Sequence, residues 1–149
     1  MNELNDFIDY LSSILEMDAI PLEILSREEM NNISEEKTLA AYDREKKVIY
    51  IVEQVDYTIM DYYLISHEVR HAWQDIDNPG YYFGDYLNDW SEHEYNTSEA
   101  EIDANAFACI AIAIAFNKVT SRSYLSDEDA QKKYTKRLNE LKKQFEIDF

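Results

Sequence analysis

The sequence predicts an α+β protein, with a small, mostly antiparallel three-stranded sheet packed on helices. Only 2 glycines and 2 prolines occur among 149 residues, so few residues interrupt helices. Three short apolar runs precede residue 53, and longer stretches with helical spacing surround them. Because 46% of the residues are hydrophobic, the chain can form a real core. Its length predicts one domain spanning residues 1–149.

The first third of the chain supplies the strands. Apolar residues recur at helical spacing from Leu4 to Glu16, and Pro21 ends that region. The segment "IPLEILS" predicts a short strand, and "REEMNNISEEK" predicts a helical turn or loop. "TLAAYDREKKVIYIVEQ" predicts a β-hairpin, because two apolar runs flank the charged "DREKK".

A helix is expected next, beginning at a cap on Asp56 or Thr58 and running to about Asp75. "DNPG" marks a turn after it. The aromatic and acidic residues 81–96 follow no clean period, which predicts an irregular segment with room for a short helix.

Two further helices complete the prediction. Thr97 or Ser98 is expected to cap a long helix reaching about Lys118, and Ser126 to cap a final, lysine-rich helix. The long helix contains "AFACIAIAIAF", which is apolar all round and indicates deep burial. Cys109 lies in this run and is expected to be a core cysteine.

Charge and composition narrow the function classes. The formal net charge is -17, and so acidic a surface repels phosphate backbones, so we expect no nucleic-acid partner. The longest apolar run is too short to span a bilayer, and the acidic start "MNELNDFIDY" does not resemble a signal peptide. A single cysteine cannot form an internal disulfide. We therefore expect a cytoplasmic protein without a membrane partner.

Residues 66–74, "SHEVRHAWQ", carry the pattern H-E-x-x-H within the predicted helix. The spacing of four places the imidazoles of His67 and His71 side by side, where both can bind one Zn²⁺. Glu68 can then accept a proton from a water that attacks a carbonyl. The alternative is two surface histidines on an ordinary helix, since the pattern fixes only three positions.

The faces of this helix favour the metal site. One predicted stripe is apolar and contains Tyr62, Ile65, Val69, Ala72 and Ile76. The nearly opposite stripe contains Met60, Leu64, His67 and His71. A helix with two such faces is expected to lie between the sheet and another helix, with its histidines directed into the protein.

A zinc site needs a third protein ligand, and "SEAEIDANAFA" offers acidic candidates. Glu101 and Asn105 share one helical face, whereas Glu99 and Asp103 share nearly the opposite face. Charged residues entering a buried helix need a partner, which a cation or the helix N-terminus can supply. Helical geometry alone does not decide whether Glu101 or the Glu99–Asp103 pair supplies the third zinc ligand.

"HEVRHAWQ" followed by "EIDANAFA" resembles the gluzincin zinc metallopeptidases, and most of all the small minigluzincin and ImmA/IrrE-like proteins of phages and mobile elements. The resemblance covers residues 20–118. It implies a zincin-like fold in which His67, His71 and Glu101 are zinc ligands, Glu68 is the general base and Asn105 supports Glu101. It also implies a peptide or protein substrate lying along an edge strand, for which residues 39–42, "LAAY", are the candidate.

The resemblance leaves two matters open. The oxyanion-stabilising residue is either His93 or one of the tyrosines Tyr81, Tyr82, Tyr86 and Tyr95, and the sequence selects none of them. The favoured alternative for His93 is an ordinary histidine in a surface loop. The leading function is zinc-dependent peptide hydrolysis, with a regulatory protein partner as a possibility. The alternative is a metal-stabilised regulatory or binding module of a mobile element with little or no turnover. A helical protein without a metal is the third reading.

Overall fold

The computed structural model describes residues 3–35, 37–84, 90–120, 122–124 and 126–149, and it has the α+β class that the sequence predicts. Two compact units divide the chain, residues 1–73 and 74–149. The first contains α1 (Glu3–Ile14), β1 (Leu22–Leu25), α2 (Arg27–Ile33), β2 (Ala40–Asp43), β3 (Val48–Val52) and most of α3 (Ile59–Asp77). The second contains the end of α3, α4 (Pro79–Phe83), α5 (Glu92–Thr97), α6 (Glu99–Phe116) and α7 (Glu128–Gln144).

The sheet is mixed, so the expectation of a mostly antiparallel sheet is wrong. The strand order is β1-β3-β2. The predicted hairpin is present, with Tyr42 of β2 opposite Ile49 of β3. On the other side of β3, Leu22 of β1 also lies opposite Ile49, but β1 runs parallel to β3. The whole of α2 and β2 connects β1 to β3, which is the long crossover that a parallel pair requires.

Helix α2 covers one face of the sheet. Its N-cap Ser26 and Glu29 form a reciprocal capping box, which stabilises a seven-residue helix where the sequence predicts a helical turn or loop. On α2, Met30 is completely buried against the side chains of Val48, Tyr50 and Val52. Since alternate residues of β3 point to opposite faces, Ile49 and Ile51, also buried, contribute to the other face.

Helix α3 begins where the sequence predicts, after Thr58. The Asp61 carboxylate accepts hydrogen bonds from the Thr58 backbone N–H (2.7 Å) and from the Gln54 side-chain amide (3.0 Å). Three residues of the predicted apolar stripe, Ile65, Val69 and Ala72, are fully buried. Ile76, the last member of that stripe, lies in the final turn and is 61% exposed. Met60, which the sequence places on the opposite stripe with the histidines, lies in the first turn and is also 61% exposed. The aromatic ring of Tyr62 meets that of Phe7 on α1, edge to face at 5.0 Å.

Helix α6 is buried continuously from Ala100 to Ile112, as its apolar composition predicts. Ser98 is its N-cap and Asn117, in the left-handed conformation, is its C-cap. Cys109 is fully buried, and burial raises the pKa of its thiol, so the expected core role is confirmed. Within the described part of the chain, none of the helices has the length and apolar character needed to cross a bilayer.

Helix α7 packs along α6, with the rings of Phe107 and Phe145 6.0 Å apart. Its N-cap is Asp127, whose carboxylate accepts from the Ala130 backbone N–H at 3.1 Å. The predicted cap at Ser126 is therefore wrong by one residue. Both residue types cap helices well, so the local sequence did not distinguish them.

The packing of Met30 generates a stability prediction. Met30→Ala should lower the free energy of unfolding by about 2–5 kcal/mol, because it leaves a cavity against β3. Ile33→Ala is the matched control on the same helix, since Ile33 is 54% exposed. It should change stability by no more than about 0.5 kcal/mol. Urea unfolding of both variants measures the difference, and equal losses would contradict this account of the core.

Candidate metal centre

Helix α3 brings the two histidines of the H-E-x-x-H pattern together. The Nε2 atoms of His67 and His71 are 3.0 Å apart, and the ring planes are nearly perpendicular. Two nitrogen ligands about 2.0–2.1 Å from a tetrahedral zinc would lie roughly 3.3 Å apart. His71 is buried and His67 is half-buried. The alternative of two surface histidines on an ordinary helix would expect both to be exposed.

The other residues of this turn are also held in place. Glu68 follows His67 and is half-buried. Arg70 is fully buried, and its guanidinium lies 3.7 Å from the centre of the Trp73 ring. Such stacking of a guanidinium on an indole is favourable. Arg70 and Trp73 therefore pack against each other next to the histidines on α3.

In the second unit, Glu101 lies in the first turn of α6 and is only 2% exposed. Its backbone N–H donates to the Ser98 hydroxyl oxygen at 3.3 Å, which fixes the residue on the helix. Its carboxylate Oε1 accepts a hydrogen bond from the Tyr95 hydroxyl at 2.6 Å. Such a short bond to a charged acceptor is stronger than a neutral one.

The rival acidic residues have different neighbours. Asp103 is buried, with Oδ1 2.7 Å from Nε of Arg137 and Oδ2 accepting from the Gln74 amide at 2.8 Å. Glu99 is exposed and lies near the Tyr81 hydroxyl, whose pKa is raised by burial and by the charge of Glu99. Both oxygens of Asp103 are thus used in a network linking α6 to α7 and to the end of α3. Its carboxylate has a structural role that the sequence did not indicate.

Asn105, expected beside Glu101, donates from its amide to the Tyr124 hydroxyl at 3.0 Å. Burial raises the pKa of Tyr124, the bond from Asn105 opposes this rise, and the charge of Glu101 adds to it. Asn105 and Tyr124 are both buried, so this polar group is shielded from water.

The candidates for oxyanion stabilisation lie in different surroundings. His93 is exposed and bonds through Nδ1 to Asp127 at the start of α7, 2.9 Å away. Tyr81 is also exposed, on α4. Tyr82, on the same helix, is half-buried, and Tyr86 lies outside the described residues. Tyr95 donates a hydrogen bond to Glu101, a predicted metal ligand.

Sequence reasoning missed three residues of this region, namely Gln74, Tyr124 and Arg137. Gln74 lies one turn after His71, and its amide also donates to the Ala100 carbonyl oxygen at 2.9 Å. No helical spacing relates these three residues to Asp103 or Asn105, so the sequence pattern did not pair them. Two features of the sequence could have indicated them. One is the polar residue Gln74 on the inner side of α3, and the other is the presence of acids in a buried helix, which require a cationic partner.

No family model, curated protein or solved structure matches this chain. The zincin-like packing and the gluzincin relationship therefore remain predictions from the motifs, and the single-domain assignment remains a prediction as well.

The Asp103 network generates the second prediction. Asp103→Asn and Arg137→Gln should each lower the free energy of unfolding by roughly 1–3 kcal/mol, since each leaves a partly buried partner poorly satisfied. The double variant should cost clearly less than the sum, because both substitutions remove the same interaction. Denaturant unfolding of the four proteins measures this coupling. Fully additive losses would show that the two residues act independently.

Proposed function

We propose that this protein is a zinc-dependent peptidase in which His67, His71 and Glu101 hold one Zn²⁺. The convergence of the two imidazole Nε2 atoms to 3.0 Å carries the proposal. Two neutral imidazoles at this distance share at most one proton, whereas a cation can attract both lone pairs.

The choice of Glu101 as third ligand has independent support. The ligand atoms of His67, His71 and Glu101 lie within 4.8 Å of one another, a separation that one ion can span. Two histidines and a glutamate are a known ligand set for catalytic zinc, and a carboxylate would balance part of the charge of the ion. Asp103, the rival, is bonded through both oxygens to Gln74 and Arg137.

The catalytic role falls to Glu68. When bound, zinc would polarise the scissile carbonyl and lower the pKa of the attacking water. Glu68 would take the proton released by that water and deliver it to the leaving amine. Being half-buried beside His67, it is partly shielded from solvent, where a general base acts with less competition from bulk water.

Strand β2 supports a peptide substrate. It lies at one edge of the sheet and corresponds to the candidate substrate strand. The Val52 backbone N–H donates to the Leu39 carbonyl oxygen. Because hydrogen-bonded pairs alternate along an antiparallel ladder, Ala40 and Tyr42 direct their N–H and C=O groups away from β3. An extended peptide could pair with these groups and lengthen the sheet.

We further infer that the protein acts in the cytoplasm on a protein or peptide, alone or with a regulatory partner. The resemblance of "HEVRHAWQ" and "EIDANAFA" to small gluzincins of phages and mobile elements supports this context.

Metal binding is the first test of the proposal. Protein purified without chelators should carry about one Zn²⁺ per chain by elemental analysis, and added zinc should raise the melting temperature of the metal-free form. His67→Ala, His71→Ala and Glu101→Ala should each weaken binding by more than about 100-fold, a larger loss than removal of a supporting residue causes.

Two controls separate the candidate ligands. Glu99→Ala removes an exposed acid from the same helical turn, and it should leave zinc affinity unchanged. Asp103→Asn should reduce stability but keep the metal. Absence of bound metal, with no thermal shift on adding zinc, would overturn the site. A larger loss of affinity from Asp103→Asn than from Glu101→Ala would reassign the third ligand.

Glu68→Gln separates catalysis from metal binding. Glutamine keeps the shape but removes the basic carboxylate, so zinc content should be retained while hydrolysis falls by about 100-fold or more. A peptide library digested with the zinc-loaded protein, with and without chelator, supplies the assay. Chelator-sensitive cleavage that survives the substitution would refute the role of Glu68. Tightly held zinc without cleavage would favour the regulatory or binding module.

A further inference from the structure

The hydrogen bond from Tyr95 to Glu101 has a consequence for the proposed metal centre. The phenolic hydroxyl donates to Oε1 at 2.6 Å, so that oxygen already has a partner in the folded chain. A carboxylate rotates easily about its last side-chain bond, and a single strong hydrogen bond removes much of that freedom. The bond therefore restricts the orientation in which the carboxylate can bind a cation.

Tyr95 is itself held from both sides. It lies on the short helix α5, which begins with a capping box between Ser91 and Glu94. Before Tyr95, the ring of His93 bonds to Asp127 of α7 at 2.9 Å. After it, the Thr97 carbonyl oxygen accepts from Nζ of Lys133, also on α7, at 3.3 Å.

These anchors explain how a partly exposed residue can act on a buried one. Tyr95 is 42% exposed, whereas Glu101 is 2% exposed, so the side chain bridges the surface and the interior. A six-residue helix has little stability of its own, so α5 depends on its contacts to α7 for stability. The position of the phenol therefore depends on α5 being fixed to α7.

We propose that Tyr95 is a positioning residue for Glu101, and that its hydroxyl orients the carboxylate for metal binding. This inference rests on the proposed function, because it assumes that Glu101 is a zinc ligand. Groups that orient metal ligands through a hydrogen bond typically contribute about 10–100-fold to metal affinity. Tyr95 would thus act through Glu101 without touching the metal.

The test compares zinc affinity, measured by competition with a chromophoric chelator, in the wild type, Tyr95→Phe, Tyr10→Phe and Glu101→Ala. Tyr95→Phe removes only the hydroxyl and should weaken binding about 10–100-fold. Tyr10→Phe is the matched control, because Tyr10 is 45% exposed and lies on α1. It should bind zinc as the wild type does.

The Co²⁺ spectrum separates positioning from a general structural role. Tyr95→Phe removes a hydrogen bond to a buried carboxylate, so the metal-free variant should remain folded but melt at a somewhat lower temperature than the wild type. The visible spectrum of the Co²⁺-substituted protein should change in Tyr95→Phe, since it reports ligand geometry, and should not change in Tyr10→Phe. His93→Gln, which disturbs an anchor but keeps the phenol, should weaken zinc binding less than Tyr95→Phe.

The possible outcomes distinguish failure of this inference from failure of the proposed zinc site on which it rests. Unchanged zinc affinity in Tyr95→Phe, with clear loss in Glu101→Ala, would overturn the positioning role and leave the zinc site intact. A lowered melting temperature of the metal-free variant with an unchanged Co²⁺ spectrum would also overturn it, as a purely structural effect. A wild type that binds no zinc, or a Glu101→Ala variant that binds it normally, would instead refute the proposed site.

Discussion

The burial of charge in helix α6 is the constraint on which the second unit depends. The helix carries Glu101, Asp103 and Asn105 within one turn, at the start of a stretch buried through Ile112. Removing a carboxylate from water costs several kcal/mol unless hydrogen bonds or an opposite charge compensate. Each of these side chains therefore requires a partner, and those partners determine what surrounds the helix.

The three side chains have different partners. Asp103 is balanced by the guanidinium of Arg137, and although burial disfavours that cation, the charge of Asp103 raises its pKa overall. Asn105 is bonded to the Tyr124 hydroxyl. The Glu101 carboxylate accepts a hydrogen bond from the Tyr95 hydroxyl. The buried acids of one helix are thus bonded to different elements of the second unit, Asp103 to α7 and Glu101 to α5.

In the first unit, the regular geometry of helix α3 brings the two histidines together. Residues four apart lie on one face, and here that relation places two imidazole nitrogens 3.0 Å apart. The same turn positions Glu68 next to them, and the stacked Arg70 and Trp73 stabilise it from the side. This closeness of two imidazole nitrogens is the observation on which the proposed zinc site rests.

The sequence by itself determined the features that arise from local periodicity and capping. It predicted the hairpin of β2 and β3, the pairing of His67 with His71, and the burial of α6, because each depends on residues close together in the chain. Only the tertiary structure decided the parallel pairing of β1 with β3, the exposure of Met60 at the start of α3, and the partners of the buried acids. These depend on contacts between distant segments, such as Gln74 with Asp103, and no spacing in the sequence encodes which segments will meet.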